Sequence, residues 1–292
     1  MQDRWQRLFY FVLTLIGICA SAQAQLVVAN DDTILTANVD RSELTQIGTG
    51  LRPAVSYDGR IAYDDGTYVW VMDGVSTRPL FQGQPAIMPS WSLSGQLAFV
   101  SFSVGFPSNA AIWVAASPDS TPRQITSSAA FSYEGSISPD GTRLAFTRQA
   151  NGHREIYVIN IDGTGEYALT NSDDPSAPDA NAPAWSPDGT RIAFYCGFAA
   201  NSTSTSLNQQ VCVINVNGTN RMTLTRCYYP CLASDNPAWS PDGSAILYER
   251  GAVDYPQGEG LHTWVMGADG TNQHEILPFS YGAGRQPWRL AH

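Results

Sequence analysis

One motif returns five times, and it constrains this chain more than any other feature. PAVSYDGRIAY from Pro53, PSWSLSGQLAF from Pro89, GSISPDGTRLAF from Gly135, PAWSPDGTRIAF from Pro183 and PAWSPDGSAILY from Pro237 align on a shared turn glycine. Their starts lie 36, 46, 48 and 54 residues apart. Each is followed by a second pair of runs: VWVMDGVSTRPLF, IWVAASPDSTPRQIT, IYVINIDGTGEYALT, VCVINVNGTNRMTLT and HTWVMGADGTNQHEIL. A unit thus holds four short runs rich in β-branched and aromatic residues, bounded by turn residues. Four antiparallel strands per repeat, near the period of about 40–45 residues of propeller blades, predict an all-β propeller. A β-sandwich is the alternative, but it does not demand the same hairpin chemistry in every unit.

The ends set the blade count. LVVANDDTILTANVDRSELTQI (26–47) matches the second, third and fourth strands of a unit, and RQPWRLAH around Trp288 reads as a lone first strand. Together they make a sixth blade from both termini. Pairing the last strand with the first closes the ring and removes the open edges that invite aggregation. The expectation is a single six-bladed domain over 25–292.

In SPDGT the Pro sets φ at the second turn position and Gly takes the left-handed conformation that re-enters the next strand. Asp140, Asp188 and Asp242 then read as carboxylates that bond their own turn. The first copy has Tyr57-Asp58-Gly59 and the second Leu93-Ser94-Gly95. Gly persists where Pro and Asp do not, as a turn requirement demands and a ligand site does not. Trp91, Trp185 and Trp239 share one repeat position that Val55 and Ile137 fill elsewhere. Apolar replacement predicts packing between blades rather than a sugar-stacking row.

The N-terminus has its own logic. MQDRWQR is followed by an apolar run of 13, LFYFVLTLIGICA, and an A-x-A pattern at Ala22 and Ala24. The run is short of the roughly 20 apolar residues that span a bilayer. It reads as a cleavable signal peptide over 1–24, hence a periplasmic or secreted protein. A lipid anchor on Cys19 is disfavoured, because Ile18 stands where a small residue is expected. Removing Arg4, Arg7 and Asp3 from 16 basic and 26 acidic residues leaves 14 and 25, net −11. An acidic surface repels nucleic acid and anionic lipid. No integral membrane segment is expected in the mature chain.

Four cysteines remain after the signal: Cys196, Cys212, Cys227 and Cys231. An even number in an exported chain favours disulfides over zinc. Three pairings are possible. The CYYPC loop suggests Cys227–Cys231, and Cys196 and Cys212 fall on neighbouring runs.

PAWSPDGTRIAF, followed by a strand and an xADGTN turn, resembles the WD40-like repeat of the TolB-type six-bladed propeller family. The resemblance covers essentially all of 26–292, most strongly in the third to fifth copies. It implies a periplasmic or secreted protein. The namesake couples its propeller to an N-terminal α/β domain and binds envelope proteins in a trans-envelope system. Here only about 28 residues lie between the signal and the first full repeat, and they read as propeller, so the extra domain is not expected. Related propellers precede serine peptidase domains, for which four residues after Trp288 leave no room. The motif residues are scaffold, so no functional residue carries over from the family.

Strand alternation puts the short Asp-Gly turns on one face and the variable loops on the other. The long ones are 101–111, 197–210, 226–236 and 249–260. Recognition is usually carried by such loops on a rigid scaffold. Residues just before each first strand should ring the mouth of the central tunnel: Arg52, Glu134, Asn181, Asp235, Asn236 and Arg285. Opposed Arg and carboxylate groups there suit a small polar ligand or ion, or simply satisfied ion pairs on a solvated rim. For catalysis the sequence offers neither a G-x-S-x-G elbow nor a phosphate loop. His153 in a loop, His262 starting a third strand and His274 starting a fourth occupy unlike repeat positions and form no ring of metal ligands. The expectation is therefore a monomeric, non-enzymatic module without cofactor or metal, binding a protein or cell-envelope partner through its long-loop face. The alternative is a lyase- or hydrolase-type propeller acting on a glycan or small polar substrate at the tunnel mouth.

Overall fold

The computed structural model describes residues 25–30, 32–38, 44–74, 76–81, 84–103, 109–150, 153–170, 179–197, 210–226, 232–252, 262–277 and 288–289. The predicted signal segment 1–24, Cys227, Cys231 and Arg285 lie outside the described residues.

Among the described residues, twenty-four strands form six four-stranded antiparallel sheets. The chain enters through β1 (Gln25–Asn30), β2 (Thr33–Asn38) and β3 (Thr45–Thr49). Blade one is β4 (Leu51–Val55), β5 (Ile61–Asp64), β6 (Val69–Met72) and β7 (Thr77–Pro79). Blade two is β8 (Ala86–Trp91), β9 (Leu97–Ser101), β10 (Ala111–Ala115) and β11 (Arg123–Gln124). Blade three is β12 (Ser132–Ile137), β13 (Arg143–Ala150), β14 (His153–Asn160) and β15 (Tyr167–Ala168). Blade four is β16 (Asp179–Trp185), β17 (Arg191–Gly197), β18 (Gln210–Asn215) and β19 (Met222–Thr223). Blade five is β20 (Leu232–Trp239), β21 (Ala245–Ala252), β22 (His262–Gly267) and β23 (His274–Leu277). Blade six combines β24 (Trp288–Arg289) with the opening strands in the order β24-β1-β2-β3. Leu26 pairs with Trp288 and Gln25 with Arg289, so the two ends of the chain close the ring as the repeat predicts.

The core lies between blades rather than within them. Val27 and Ile34 of blade six pack with Val55, Ile61 and Tyr63 of blade one. Ala54 and Val71 of blade one meet Trp91, Leu97 and Phe99 of blade two. Equivalent clusters fill the remaining four interfaces, the last joining Leu247 and Val265 to Leu26 and Val28. Each sheet therefore needs apolar residues on both faces, which is why β9 and β16 read as continuous buried runs.

Trp91, Trp185 and Trp239 are the pins of three of these interfaces. Each indole Nε1 donates to a first-strand carbonyl of the preceding blade: Trp91 to Ala54 (3.2 Å), Trp185 to Ser136 (3.0 Å) and Trp239 to Ala184 (3.2 Å). An Arg of that same preceding blade covers each ring, with Arg60, Arg143 and Arg191 at 4.8, 4.8 and 4.7 Å from the centroids. Gln96 holds the Arg position before Ile137, so arginine and tryptophan occur together across an interface.

The Pro-Asp-Gly turns behave as the sequence predicts. In blade four, Ser186 Oγ donates to Asp188 Oδ1 (2.5 Å), which also accepts Thr190 N (3.1 Å) and Thr190 Oγ1 (2.9 Å). Gly189 sits at φ 68°, in the left-handed region, with its N–H on Ser186 O. Asp140 and Asp242 repeat the net with Ser138 and Thr142, and with Ser240 and Ser244. In blade two Ser94 replaces the carboxylate and bonds Ser92 at 2.9 Å, so the geometry survives without the charge.

Cys196 on β17 and Cys212 on β18 are disulfide-bonded, with Cα atoms 5.8 Å apart and both side chains buried. Cys196 stands opposite Gln210 and Cys212 opposite Phe194, so the bridge runs diagonally across the hairpin at the base of its long loop.

Candidate functional site at the mouth of the ring

In five blades the first strand is kinked by a β-bulge, with register shifts inside Leu51–Ala54, Ile87–Ser90, Tyr133–Ser136, Asn181–Ala184 and Asp235–Ala238. The bulged residues have left-handed φ of 47–58°: Arg52, Met88, Glu134, Ala182 and Asn236. A non-glycine residue there is uncommon and is held by its surroundings. First strands of successive blades touch one another from β4 through β20, which places these bulges innermost. Bulges re-aim side chains and are frequent beside functional sites.

Each bulge has a distinct partner. Arg52 Nε donates to Asp64 Oδ2 at 2.8 Å, and the two side chains also form an ion pair. Asp64 has no exposure, and it additionally accepts Gly66 N (3.0 Å) and, from the next blade, Met88 N (3.1 Å). In blade three Thr147 Oγ1 donates to Glu134 Oε2 (3.1 Å), and the same oxygen accepts Ala182 N of blade four at 2.8 Å. In blade five Asn236 Nδ2 donates to buried Glu249 Oε2 at 2.7 Å, and Asn236 N donates to Asp235 Oδ1 at 2.7 Å. Buried polar groups must find partners, and these carboxylates provide them for bulged backbone amides.

Blades one, three and five thus carry a polar pair, whereas in blades two and four the bulge residues are Met88 and Ala182. There the second-strand residues at the equivalent positions are Val100, paired with Ile87, and Tyr195, paired with Asn181. Of the six residues expected at the mouth, Arg52, Glu134 and Asn236 occupy the bulge itself. Asn181 and Asp235 stand one residue before it. In blade four the bulge is Ala182, because the register shift follows Asn181 rather than preceding it. Asn181 is 8% exposed, and its Oδ1 has no hydrogen-bond partner among the described residues.

A group that the sequence reading missed lies on the seam between blades three and four. Asp179, almost fully buried at the start of β16, accepts Arg154 N at 2.8 Å and pairs with Arg154 Nε at 3.3 Å. The Arg154 side chain stays 40% exposed. Burial of Arg154 opposes its charge, but the neighbouring Tyr133 and Asp179 outweigh it and raise its pKa. Burial pushes the Tyr133 phenol up to about 12, helped by the Glu134 carboxylate and opposed by Arg154. The result is a neutral phenol and a guanidinium held by a carboxylate, beside the Glu134–Ala182 link. The sequence signal for this group was Asp179 itself, a charge opening a strand that is otherwise entirely apolar or amide.

His153, expected in a loop, instead opens β14 and is buried, with Nε2 2.8 Å from Glu155 Oε1. Glu155 also accepts Thr170 Oγ1. His262 and His274 open a third and a fourth strand as expected.

Comparison with known proteins gives this geometry its relatives. A family profile described as the TolB beta propeller domain matches residues 56–197. The chain carries a TolB-like β-propeller. A TolB homolog of Chlorobium luteolum is 29% identical over 133 residues, 43% of this chain and 30% of that protein. The match therefore spans less than a third of the length of that curated relative. Among solved structures, a provisional TolB from Agrobacterium tumefaciens superposes with TM-score 0.69 at 20% identity, covering 92% of this chain and 94% of that one. An oligogalacturonate lyase in complex with manganese superposes with TM-score 0.58 at 14% identity, covering 84% and 70%. At such identities the structural likeness speaks for the fold alone.

Proposed function

We propose that this TolB-like propeller is an exported binding module whose long-loop face engages a protein or cell-envelope component. The observation that carries this reading is the state of the mouth carboxylates. Asp64, Glu134 and Glu249 are each already tied to a neighbouring side chain, and Asp64 and Glu134 also to the backbone amide of the next blade. A general acid or base has to exchange protons with a substrate, whereas these groups are committed to partners within the rim. A pre-organised surface of that kind suits recognition. Export is supported by the 1–24 segment and by the Cys196–Cys212 bridge, which persists in oxidising compartments. The acidic mature chain excludes nucleic acid as a favoured partner. The lyase likeness supplies a shared fold and no substrate.

The test is cross-linking of the purified protein to envelope extract, followed by mass spectrometry, for wild type, Arg154→Ala and a variant trimmed across 197–210. A specific partner retained by wild type and lost in either variant supports the reading. Turnover of a glycan by purified protein, with no partner captured, overturns it.

A further inference from the structure

On the long-loop face of blade two, the structure holds a cleft of about 170 Å³ between the end of β9, the start of β10 and β11. We infer that this cleft binds one neutral pyranose unit of a glycan.

The lining chemistry carries the inference. In a chain of net charge −10, no Asp, Glu, Arg or His lines the cleft among the described residues. Its polar wall consists of the carboxamides of Gln84, Asn109 and Gln124 with the hydroxyls of Ser101, Ser103 and Ser128. A carboxamide both donates and accepts, and so does a sugar hydroxyl. Such a wall matches vicinal hydroxyls and does nothing to repay the desolvation of an ion. Trp113 and Phe102 supply the apolar surface that the C–H face of a pyranose ring needs.

The wall is also rigid. Trp113 is register-paired with Phe99 on one side and Gln124 on the other, and Phe81 backs its ring at 5.4 Å between centroids. Gln124 Nε2 donates to Thr126 O at 2.8 Å, which fixes that side chain. Ser101 Oγ donates to Pro85 O at 2.8 Å, which leaves that hydroxyl oxygen to act as an acceptor. Asn109 is held at φ 60°, just ahead of β10. The cleft is smaller than the pockets of roughly 300–1,000 Å³ that enclose drug-sized molecules. One ring fits, as the end or one residue of a longer glycan.

Saturation-transfer difference NMR tests this directly with methyl glucoside, methyl galactoside and N-acetylglucosamine, each raised to about 50 mM, with galacturonate as the charged control. The expected result is transfer to at least one neutral sugar with a Kd of about 1 mM. It should weaken about tenfold or more in Gln124→Ala and in Asn109→Gly, which keeps the left-handed backbone, while the melting temperature stays unchanged. Trp113→Phe should weaken it less. Absence of transfer to every neutral sugar, equal transfer to galacturonate, or binding that survives both variants overturns the inference. The partner-binding reading is tested by variants in blades three and four, Arg154→Ala and the 197–210 trim, so the failure of one reading is distinguishable from the failure of the other.

Discussion

The guanidinium of Arg191 lies 4.7 Å above the ring of Trp239, and both reach across the same gap between blades four and five. The indole N–H is bonded to Ala184 O, in the blade that also supplies the arginine. Trp239→Ala is expected to cost about 3–5 kcal/mol by denaturant unfolding, as for other buried large-to-small changes. Arg191→Ala should cost about 0.5–1 kcal/mol, the size of an exposed cation–π contact. A double-mutant cycle should return a positive coupling, and strict additivity would show that the stacking contributes nothing.

Glu134 joins two blades through a single oxygen, which accepts both Thr147 Oγ1 and Ala182 N. Glu134→Ala removes the nearer acceptor of that amide and leaves it only Thr147 Oγ1 at 3.2 Å, so it should destabilise the protein by about 1 kcal/mol. Glu134→Gln keeps an acceptor oxygen and should restore most of the loss. Equal instability of the two variants would mean that the charge matters rather than the hydrogen bond.

The turn carboxylates make the protein sensitive to acid. The Ser138 hydroxyl holds Asp140, and the Ser240 hydroxyl holds Asp242, below the ordinary value of 3.8. Asp188 is lowered too, its burial outweighed by Ser186 and Thr190. Because the folded values lie below the unfolded ones, the unfolded chain binds more protons in this window. Stability is therefore present above the ordinary value of 3.8 and lost as pH falls below it through the folded values. Melting temperatures measured downward from neutral pH should fall in that range, and less steeply in Asp140→Asn/Asp242→Asn.

At the alkaline end the sign concerns Tyr133, whose phenol is raised from 10.0 to about 12. The folded phenol keeps its proton where the unfolded one releases it. This contribution is complete below 10 and is lost as pH rises through about 12. Burial also raises the phenols of Tyr63, Tyr167 and Tyr248, so absorbance titration of tyrosinate should show a late-ionising group of tyrosines that loses one member in Tyr133→Phe.

The Cys196–Cys212 bridge closes a sequence separation of 16 residues. In the chain-entropy account a loop of that size contributes about 3 kcal/mol. Cys196→Ala/Cys212→Ala should lose about that much, read as a shift in denaturant midpoint at unchanged slope. A midpoint unmoved from wild type would show that the hairpin is held by its strand pairing alone.

What could be read from the chain was whatever its chemistry decides within a few residues or repeats at a fixed period. Ser186, Asp188 and Thr190 satisfy one another inside one turn, so the turn is legible wherever the motif recurs. The blade count and the closure of β1 on β24 followed from counting strand runs, because a repeat must bury both faces against its neighbours. The placement of Trp91, Trp185 and Trp239 between blades followed from their apolar replacements in other copies.

The mouth was legible as a region and not as a set of contacts. The left-handed bulge itself falls on the residue just before the repeat motif in every copy, Arg52, Met88, Glu134, Ala182 and Asn236, but the partners that these residues meet across strands and blades follow from no local pattern. Arg154 and Asp179 are 25 residues apart and belong to different sheets. Nothing near either one in the chain names the other. The sequence by itself determined the repeat, its turns and the ring, because those rest on short-range hydrogen bonding and on periodic apolar burial. The tertiary structure alone decided which polar groups face one another, because that depends on bulge register and on the packing of one blade against the next.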